Sequence, residues 1–231
     1  MREGHLPADV KAIIFDVEGT LVDAVPYTLQ CWSETLECAG HPVSLDLLRE
    51  RSGLDGHDML RELLPAVPDD VRKAILKKQG EAYKEHYLPR VAAFPGIGPL
   101  FETIKQAGVK IGLATDCSRD ELDRYLEITG VRDLLDGWAC GDDVKHGKPH
   151  ADLLLLALAR LDADAATTAM VGDTPYDMMP ARKLDMTAAG VLTGGYTEAR
   201  LRGAGASCVC SEVTDLLRSP IPALSLPNSR R

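Results

Sequence analysis

The sequence predicts an α/β protein with a doubly wound parallel sheet and an α-helical segment inserted after the first strand. Short apolar runs alternate with longer helical patterns over most of the chain. Several runs are apolar at consecutive positions, which is typical of parallel strands covered on both faces. One long stretch after the first run shows only helical patterns. The alternation implies right-handed βαβ units, and the helical stretch implies an insertion into the sheet domain.

Six segments carry the strand pattern, and helical patterns lie between or after them. Strands are predicted at residues 12–15, 109–114, 137–140, 168–171, 187–192 and 207–210. Helices of the sheet domain are predicted at residues 98–107, 119–129, 150–161, 177–183 and 197–203. This order is that of an open sheet with helices on both faces.

The stretch between the first two strands divides the chain. It consists of helical segments separated by Gly40-His41-Pro42, Ser52-Gly53 and residues 65–69, and we expect it to leave the sheet at Asp23 and return near Pro89. We therefore predict a sheet domain at residues 1–23 and 89–218 and a helical domain at 24–88. A tail with three prolines is predicted at 219–231.

Length, charge and cysteine content narrow the class of protein. A chain of 231 residues can hold a compact domain that carries a smaller inserted one. Its net charge of −9 argues against nucleic acid and against an anionic membrane surface as partners. The six cysteines form no CxxC pair, and the N-terminus lacks the apolar stretch of a signal peptide. We predict a cytoplasmic protein, and the sequence leaves monomer and homodimer open.

Polar residues follow four of the predicted strands. They are the segment 16–20, the pair Thr115-Asp116, the triplet Gly147-Lys148-Pro149 and the segment 172–177. The carboxyl ends of parallel strands meet at one edge of an open sheet, where ligands bind. We therefore expect these side chains to lie together.

The residue types at that edge suit a metal ion and an anion. The carboxylates of Asp16, Asp173 and Asp177 would repel one another without a cation, and oxygen-only ligation suits Mg²⁺. Lys148 supplies a point charge for a phosphoryl oxygen or a carboxylate, and Thr115 supplies a hydroxyl donor. The edge is therefore a candidate magnesium and phosphate site.

Four motifs resemble those of the haloacid dehalogenase-like hydrolase superfamily in their order and spacing. They are FDVEGTLVD at residues 15–23, Thr115, Lys148-Pro149 and GDTPYD at residues 172–177. The resemblance extends from about Lys11 to Leu217. The inserted helices resemble the α-helical cap of the phosphoglycolate phosphatase and β-phosphoglucomutase branch. The resemblance implies a Rossmann-like catalytic core with an α-helical cap and a small phosphorylated metabolite as substrate. The helical pattern between the two apparent hinges, Asp23 and Pro89, predicts that the cap is mobile.

The resemblance also implies a role for each site residue. Asp16 is implied to attack phosphorus and to form an aspartyl-phosphate. Asp16, the backbone carbonyl of Glu18 and Asp173 are implied to hold Mg²⁺, with Asp177 supporting the ion through water. Thr115 and Lys148 are implied to bind the phosphoryl group.

Two residues depart from the pattern of the superfamily. Phosphatases of this superfamily usually carry Asp where this chain has Glu18, which we expect to protonate the leaving alkoxide and later deprotonate the attacking water. Asn is common at the position of Asp116. A carboxylate beside a bound phosphoryl group is unfavourable unless it is paired or turned away, so Asp116 puts substrate or rate in doubt.

Substrate and reaction remain open at this level. The segment 51–57 resembles the specificity loop of the cap, so Arg51 or His57 could read an anionic or hydroxylated substrate, and a plain surface loop is the other interpretation. A phosphonatase would use a cap lysine as a Schiff base, and a phosphomutase would need a phosphorylated resting state. A non-catalytic binding or regulatory protein would keep the fold and lose turnover through Glu18 and Asp116.

Overall fold

Six parallel strands form a single sheet in a computed structural model that describes residues 10–217 of the chain. The strands are β1 (Ala12–Phe15), β2 (Lys110–Ala114), β3 (Gly137–Ala139), β4 (Thr168–Gly172), β5 (Thr187–Val191) and β6 (Cys208–Cys210). Their order across the sheet is β3-β2-β1-β4-β5-β6. The predicted doubly wound parallel sheet is thus confirmed. The predicted tail at 219–231 lies outside the described residues.

The register of β1 decides which side chains meet at the carboxyl edge. Phe15, the last residue of β1, is opposite Leu113 of β2 and Val171 of β4. All four residues of β1 are buried, since neighbouring strands flank it and helices cover both of its faces. The residues that follow β1, β2 and β4 therefore leave the sheet side by side.

Nine α-helices are found within the described residues. They are α1 (Val25–Cys38), α2 (Leu45–Arg49), α3 (Gly56–Leu63), α4 (Asp69–Ala82), α5 (Ile97–Gln106), α6 (Arg119–Thr129), α7 (Asp152–Leu161), α8 (Pro175–Lys183) and α9 (Glu198–Ala204). Local signals set several of their ends. Ser118 and Glu121 form a capping box that starts α6, and Gly130 ends it in the left-handed conformation with φ of 67°.

Successive residues of β1 pack on opposite faces of the sheet. Phe15 stacks on Phe101 of α5 with ring centroids 5.0 Å apart, in a core that also holds Tyr125 of α6. Ile14 belongs to the core on the other face, with Leu154 of α7. This alternation follows from the two-residue period of a strand. Helices on both faces explain why the strands read as continuous apolar runs.

The helices between β1 and α5 have a core of their own. We call α1–α4 the inserted helices, and α4 continues into a π-helix at Tyr83–Tyr87. Trp32 and Leu36 of α1 pack there with Leu60 of α3 and Ile75 of α4. A separate core is what an inserted domain requires, and the division at residues 24–88 stays a prediction.

Between residues 10 and 217, each helix is too short or too polar to cross a membrane. All six cysteines, which lie in this part of the chain, are free thiols. Free thiols agree with a reducing compartment. The cytoplasmic location itself stays a prediction.

Candidate active site

Asp16 lies directly after β1 and is buried at the carboxyl edge of the sheet. Its Oδ1 accepts a hydrogen bond from the Nζ of Lys148. Burial raises the pKa of Asp16 to about 6, although the positive charge of Lys148 opposes the rise. Lys148 contacts Oδ1 only, so Oδ2 of Asp16 does not take part in this ion pair.

Lys148 connects two carboxylates of the site. Besides Asp16, its Nζ lies 2.7 Å from Oδ1 of Asp177. Burial alone would lower the pKa of Lys148, but the charges of Asp16 and Asp177 outweigh it and raise that pKa well above its ordinary value. The two carboxylates therefore favour the charged form of this ammonium.

Asp116 is turned toward the loop that carries Lys148. Its Oδ1 accepts the backbone N–H of Lys148 at 3.1 Å, and a side chain at Gly147 would overlap this oxygen. Burial raises the pKa of Asp116 to about 7. The carboxylate at this position, which is unusual in the superfamily, thus has a partner and helps to hold the lysine loop.

Asp173 follows β4 and has one oxygen without a partner. Its Oδ1 accepts the hydroxyl of Thr20 at 2.9 Å, whereas its buried Oδ2 has no hydrogen-bond partner. Gly19, with φ of 79°, allows this approach, because a Cβ there would lie 2.5 Å from Oδ2. Burial, with repulsion from Asp16 and Asp177, raises the pKa of Asp173 well above its ordinary value.

These carboxylates fit a hard divalent cation. One oxygen each from Asp16, Asp173 and Asp177 lies within 4.8 Å of the others. One ammonium, that of Lys148, offsets a single charge of the three, so two negative charges remain when all three carboxyls are ionised. A buried oxygen with no partner is costly unless an ion or water completes it. Oxygen-only ligands with this charge suit Mg²⁺.

Asp177 also organises the start of α8. Its Oδ2 accepts the backbone N–H of Thr174 at 3.0 Å and the Thr174 hydroxyl at 2.7 Å, which forms a capping box. Its other oxygen faces Lys148. This Oδ1 forms an ion pair with Lys148 but no hydrogen bond, so it is a second buried oxygen, besides Oδ2 of Asp173, that lacks a hydrogen-bond partner. The supporting role of Asp177 toward the metal stays a prediction.

Thr115 and Glu18 complete the group of predicted site residues that the structure brings together. The buried Oγ1 of Thr115 accepts the backbone N–H of Cys117 at 3.4 Å, which leaves its O–H for another acceptor. Glu18 is half-buried, and its Oε1 accepts the hydroxyl of Tyr125 at 2.8 Å. Burial, with repulsion from Glu121, raises the pKa of Glu18 to about 8.

Two neighbouring cavities, which share several lining residues, adjoin these residues. A small one of about 50 Å³ is lined by Asp16, Glu18, Thr115, Lys148 and Asp173, among others. A larger one of about 550 Å³ lies between the inserted helices and the carboxyl edge of the sheet. Glu18 lines both. The small cavity suits a phosphoryl group, and the larger one suits the remainder of a small substrate.

The two specificity candidates differ in their position. Arg51 lines the larger cavity, and its Nε donates to Oε2 of Glu62 at 2.8 Å. His57 is exposed and is not among the residues that line either cavity. The segment between them contacts the sheet domain, since the Asp55 N–H donates to the Lys148 carbonyl at 3.1 Å.

Sequence reasoning missed Thr20, Tyr83 and Tyr125 as members of the site. Thr20 lies within the first motif, so its hydroxyl could have been noticed there. Tyr125 occupies a fully buried position of α6, and Tyr83 begins the π-helix. No pattern in the sequence separates such tyrosines from ordinary core residues.

Residues 13–191 match the sequence profile of a family described as haloacid dehalogenase-like hydrolase. The chain therefore belongs to this family, and its predicted membership is confirmed, as is the branch of phosphoglycolate phosphatase and β-phosphoglucomutase. It is an enzyme of the hydrolase class.

Several known proteins are similar along almost the whole chain. A probable phosphatase, IndB, of Dickeya dadantii is 31% identical over 221 residues, 94% of this chain and 96% of the relative. A phosphoglycolate phosphatase of Yersinia pseudotuberculosis is 28% identical over 225 residues, 95% of each chain. The crystal structure of a hydrolase from Pseudomonas syringae, 30% identical, superposes with a TM-score of 0.84 over 90% of this chain and 96% of that one. Phosphatase relatives support action on phosphate esters.

Proposed function

We propose that this protein is a Mg²⁺-dependent phosphatase that hydrolyses a small phosphorylated metabolite through an aspartyl-phosphate on Asp16. One observation carries the proposal: Asp16 and Glu18 line a small buried cavity beside an unpartnered oxygen of Asp173, and this cavity adjoins a larger one. A nucleophile, an acid and a place for a cation are thus next to a space for the substrate.

The reaction proceeds in two displacements. A carboxylate oxygen of Asp16 attacks phosphorus, and the bond from phosphorus to the ester oxygen breaks. Glu18 gives its proton to that oxygen, and the alcohol leaves. Glu18, now a carboxylate, takes a proton from water, which attacks the phosphorus of the aspartyl-phosphate. Inorganic phosphate leaves, and Asp16 and protonated Glu18 are restored.

Lys148 and Thr115 hold the transferred group. The ammonium of Lys148 and the hydroxyl of Thr115 both line the small cavity, where they can donate to phosphoryl oxygens. Mg²⁺ would be held by Asp16, Asp173 and the backbone carbonyl of Glu18, with Asp177 in support. When bound, it supplies positive charge that offsets the carboxylates and the phosphoryl oxygens. Positioning and electrostatic stabilisation dominate reactions of this type.

Release of inorganic phosphate from p-nitrophenyl phosphate tests the proposal most directly. We expect release to require Mg²⁺ and to stop when EDTA removes it. Restoration by added Mg²⁺ separates loss of the metal from loss of the fold. A protein that folds and binds Mg²⁺ but releases no phosphate from any ester would be the non-catalytic relative instead.

Replacing Asp173 should weaken the metal site. In Asp173→Asn, we expect the dissociation constant for Mg²⁺ to rise at least about 10-fold. Replacing a residue that only supports a metal ligand already lowers metal affinity by about 10–100-fold, and Asp173 is proposed to be a ligand itself. Isothermal titration calorimetry of Mg²⁺ measures this without substrate. Asp152→Asn, which changes a partly exposed carboxylate outside the site, serves as the control. Equal affinity in the Asp173 variant and the wild type would contradict the assignment.

The charges around the larger cavity indicate the class of substrate. Six carboxyl groups line it, against the three cations Arg51, Lys77 and Lys84. Two of the six, Glu18 and Asp116, have raised pKa values, and the other four are Asp55, Glu81, Glu121 and Asp142. Each of these cations pairs with a carboxylate, namely Glu62, Glu81 and Asp120 respectively. Apolar side chains such as Trp32 and Met59 form part of the wall. We propose that the alcohol part of the substrate is uncharged or cationic and carries an apolar portion.

Three phosphate esters of similar size test this preference. Phosphoglycolate ends in a carboxylate, 2-hydroxyethyl phosphate in a hydroxyl and phosphoethanolamine in an ammonium. We expect kcat/KM for phosphoglycolate to be about 10–100-fold lower than for the other two, because the cavity repels a second anion. Glu62→Gln removes the closer of the two carboxylate partners of Arg51, the other being Glu50, and should narrow the gap. Fastest turnover of phosphoglycolate would contradict the proposed class.

A further inference from the structure

Two tyrosine hydroxyl groups form a hydrogen-bonded chain from the π-helix that continues α4 to Glu18. The hydroxyl of Tyr125 donates to Oε1 of Glu18 at 2.8 Å, and the hydroxyl of Tyr83 lies 2.7 Å from that of Tyr125. Because the hydrogen of Tyr125 goes to Glu18, Tyr83 donates to Tyr125. Tyr125 is 0% exposed and Tyr83 is 3% exposed, so the bond between the two phenols is shielded from bulk water, whereas Glu18 at the end of the chain lines both cavities.

The two tyrosines belong to different parts of the fold. Tyr83 begins the π-helix that continues α4, and Tyr125 lies on α6 beside the sheet. A wider helical turn changes the direction in which a side chain leaves the helix, and such turns are frequent at functional sites. Tyr83 on the π-helix is therefore hydrogen-bonded to Tyr125 on α6, and Tyr125 is hydrogen-bonded to Glu18.

Glu18 needs this support more than an aspartate would. A glutamate has one more rotatable bond than aspartate, so its carboxyl group samples more positions unless a partner fixes it. A hydrogen bond to Oε1 fixes the plane of the carboxyl group and leaves Oε2 to carry the proton. Burial raises the pKa of Tyr125 well above its ordinary value, so the phenol remains a donor.

We propose that Tyr125 is a positioning residue for the acid–base group Glu18 and that Tyr83 holds Tyr125 in place. The proposal rests on the function proposed above for Glu18. Tyr125 does not touch the phosphoryl group. It orients Oε2 of Glu18 toward the ester oxygen, and the Tyr83 hydroxyl orients the donor.

Tyr125→Phe tests the proposal, since it removes one hydroxyl and keeps the ring in the core. We expect kcat/KM for alkyl phosphate esters to fall about 10-fold and kcat/KM for p-nitrophenyl phosphate to change less than 2-fold, because an aryl leaving group needs no proton. Tyr83→Phe should show the same pattern with a smaller loss, about 3-fold. If Tyr125→Phe does not fold, as judged by thermal unfolding, Tyr83→Phe carries the test.

Tyr87→Phe is the matched control. Tyr87 lies in the same π-helix, is buried, and donates its hydroxyl to Oε2 of Glu34 at 2.6 Å. Its replacement removes an equivalent bond that does not lead to Glu18, so both esters should keep their kcat/KM. An equal loss in Tyr87→Phe and Tyr125→Phe would overturn the proposal in favour of a general structural effect.

A double variant separates the positioning role from the role of Glu18. In the Glu18→Gln background, Tyr125→Phe should cause no further loss, because the group that it positions is gone. The same 10-fold loss in that background would overturn the positioning role alone. If Glu18→Gln itself keeps wild-type turnover of alkyl esters, the proposed function of Glu18 has failed, and the positioning role falls with it. If Glu18→Gln is impaired but Tyr125→Phe turns over alkyl esters as fast as the wild type, the positioning role of Tyr125 is wrong and the proposed function of Glu18 stands.

Discussion

Asp16→Asn is expected to lower the turnover of every phosphate ester by roughly 10⁴–10⁶-fold, the range that loss of central catalytic groups causes in a hydrolase. The amide is too weak a nucleophile to form the covalent intermediate. It also removes the charge that faces Lys148, which leaves that ammonium with Asp177 as its nearest carboxylate. Steady-state release of phosphate, with circular dichroism to confirm the fold, measures the effect.

Two further observations make this expectation specific. Acid-quenched wild-type enzyme should carry a phosphoryl group on the peptide that contains Asp16, as mass spectrometry can show. Asp23→Asn is the control, because Asp23 lies in the same segment and is exposed. Turnover like that of the wild type in Asp16→Asn, or a phosphoryl group on another residue, would refute the nucleophile assignment.

Glu18→Gln is expected to slow alkyl phosphate esters by about 10²–10⁴-fold, the usual contribution of general acid–base catalysis. Glutamine cannot give a proton to the leaving alkoxide. For p-nitrophenyl phosphate, kcat/KM should fall much less, since this constant reports formation of the aspartyl-phosphate and the leaving group needs no proton. Its kcat can still fall, because hydrolysis of the intermediate needs a base.

Glu18→Asp provides the conservative comparison. Aspartate is the commoner residue of the superfamily at this position, and the variant should keep substantial activity on alkyl esters. Its shorter side chain moves the carboxyl group away from the Tyr125 hydroxyl, so some loss relative to the wild type is expected. If Glu18→Gln leaves alkyl ester turnover unchanged, the acid must be another group.

The fold was predictable because its signals are local. The four apolar residues of β1 and the alternation of strand and helix patterns are visible in the sequence alone. The grouping of Asp16, Thr115 and Asp173 followed from one rule, that parallel strands share a carboxyl edge. The ends of elements were less accurate: α8 begins at Pro175, two residues before the expected start, because Thr174 caps it.

The partners within the site were not predictable, because tertiary contacts decide them. Asp116 was expected to disfavour a bound phosphate unless it was paired or turned away, and the structure pairs it with the backbone N–H of Lys148 while it still lines the small cavity. Arg51 was one of two candidates for reading an anionic or hydroxylated substrate, with a plain surface loop as the other interpretation, and in the structure it pairs with Glu62 and Glu50. Tyr125 was not singled out, because nothing in the predicted helix at 119–129 distinguishes it from a core residue. Each contact joins residues from separate elements, where the sequence carries no periodic signal.

The position of β1 between β2 and β4 has a consequence for how the protein gains activity. Asp16, Thr115 and Asp173 become neighbours only through the pairing registers Phe15–Leu113 and Phe15–Val171. Both pairings close long loops, and contacts of large sequence separation form late and slowly. During refolding, helical content should therefore return before ester hydrolysis does. Enzymatic activity thus requires a completely formed central sheet, and partly folded molecules should be inactive.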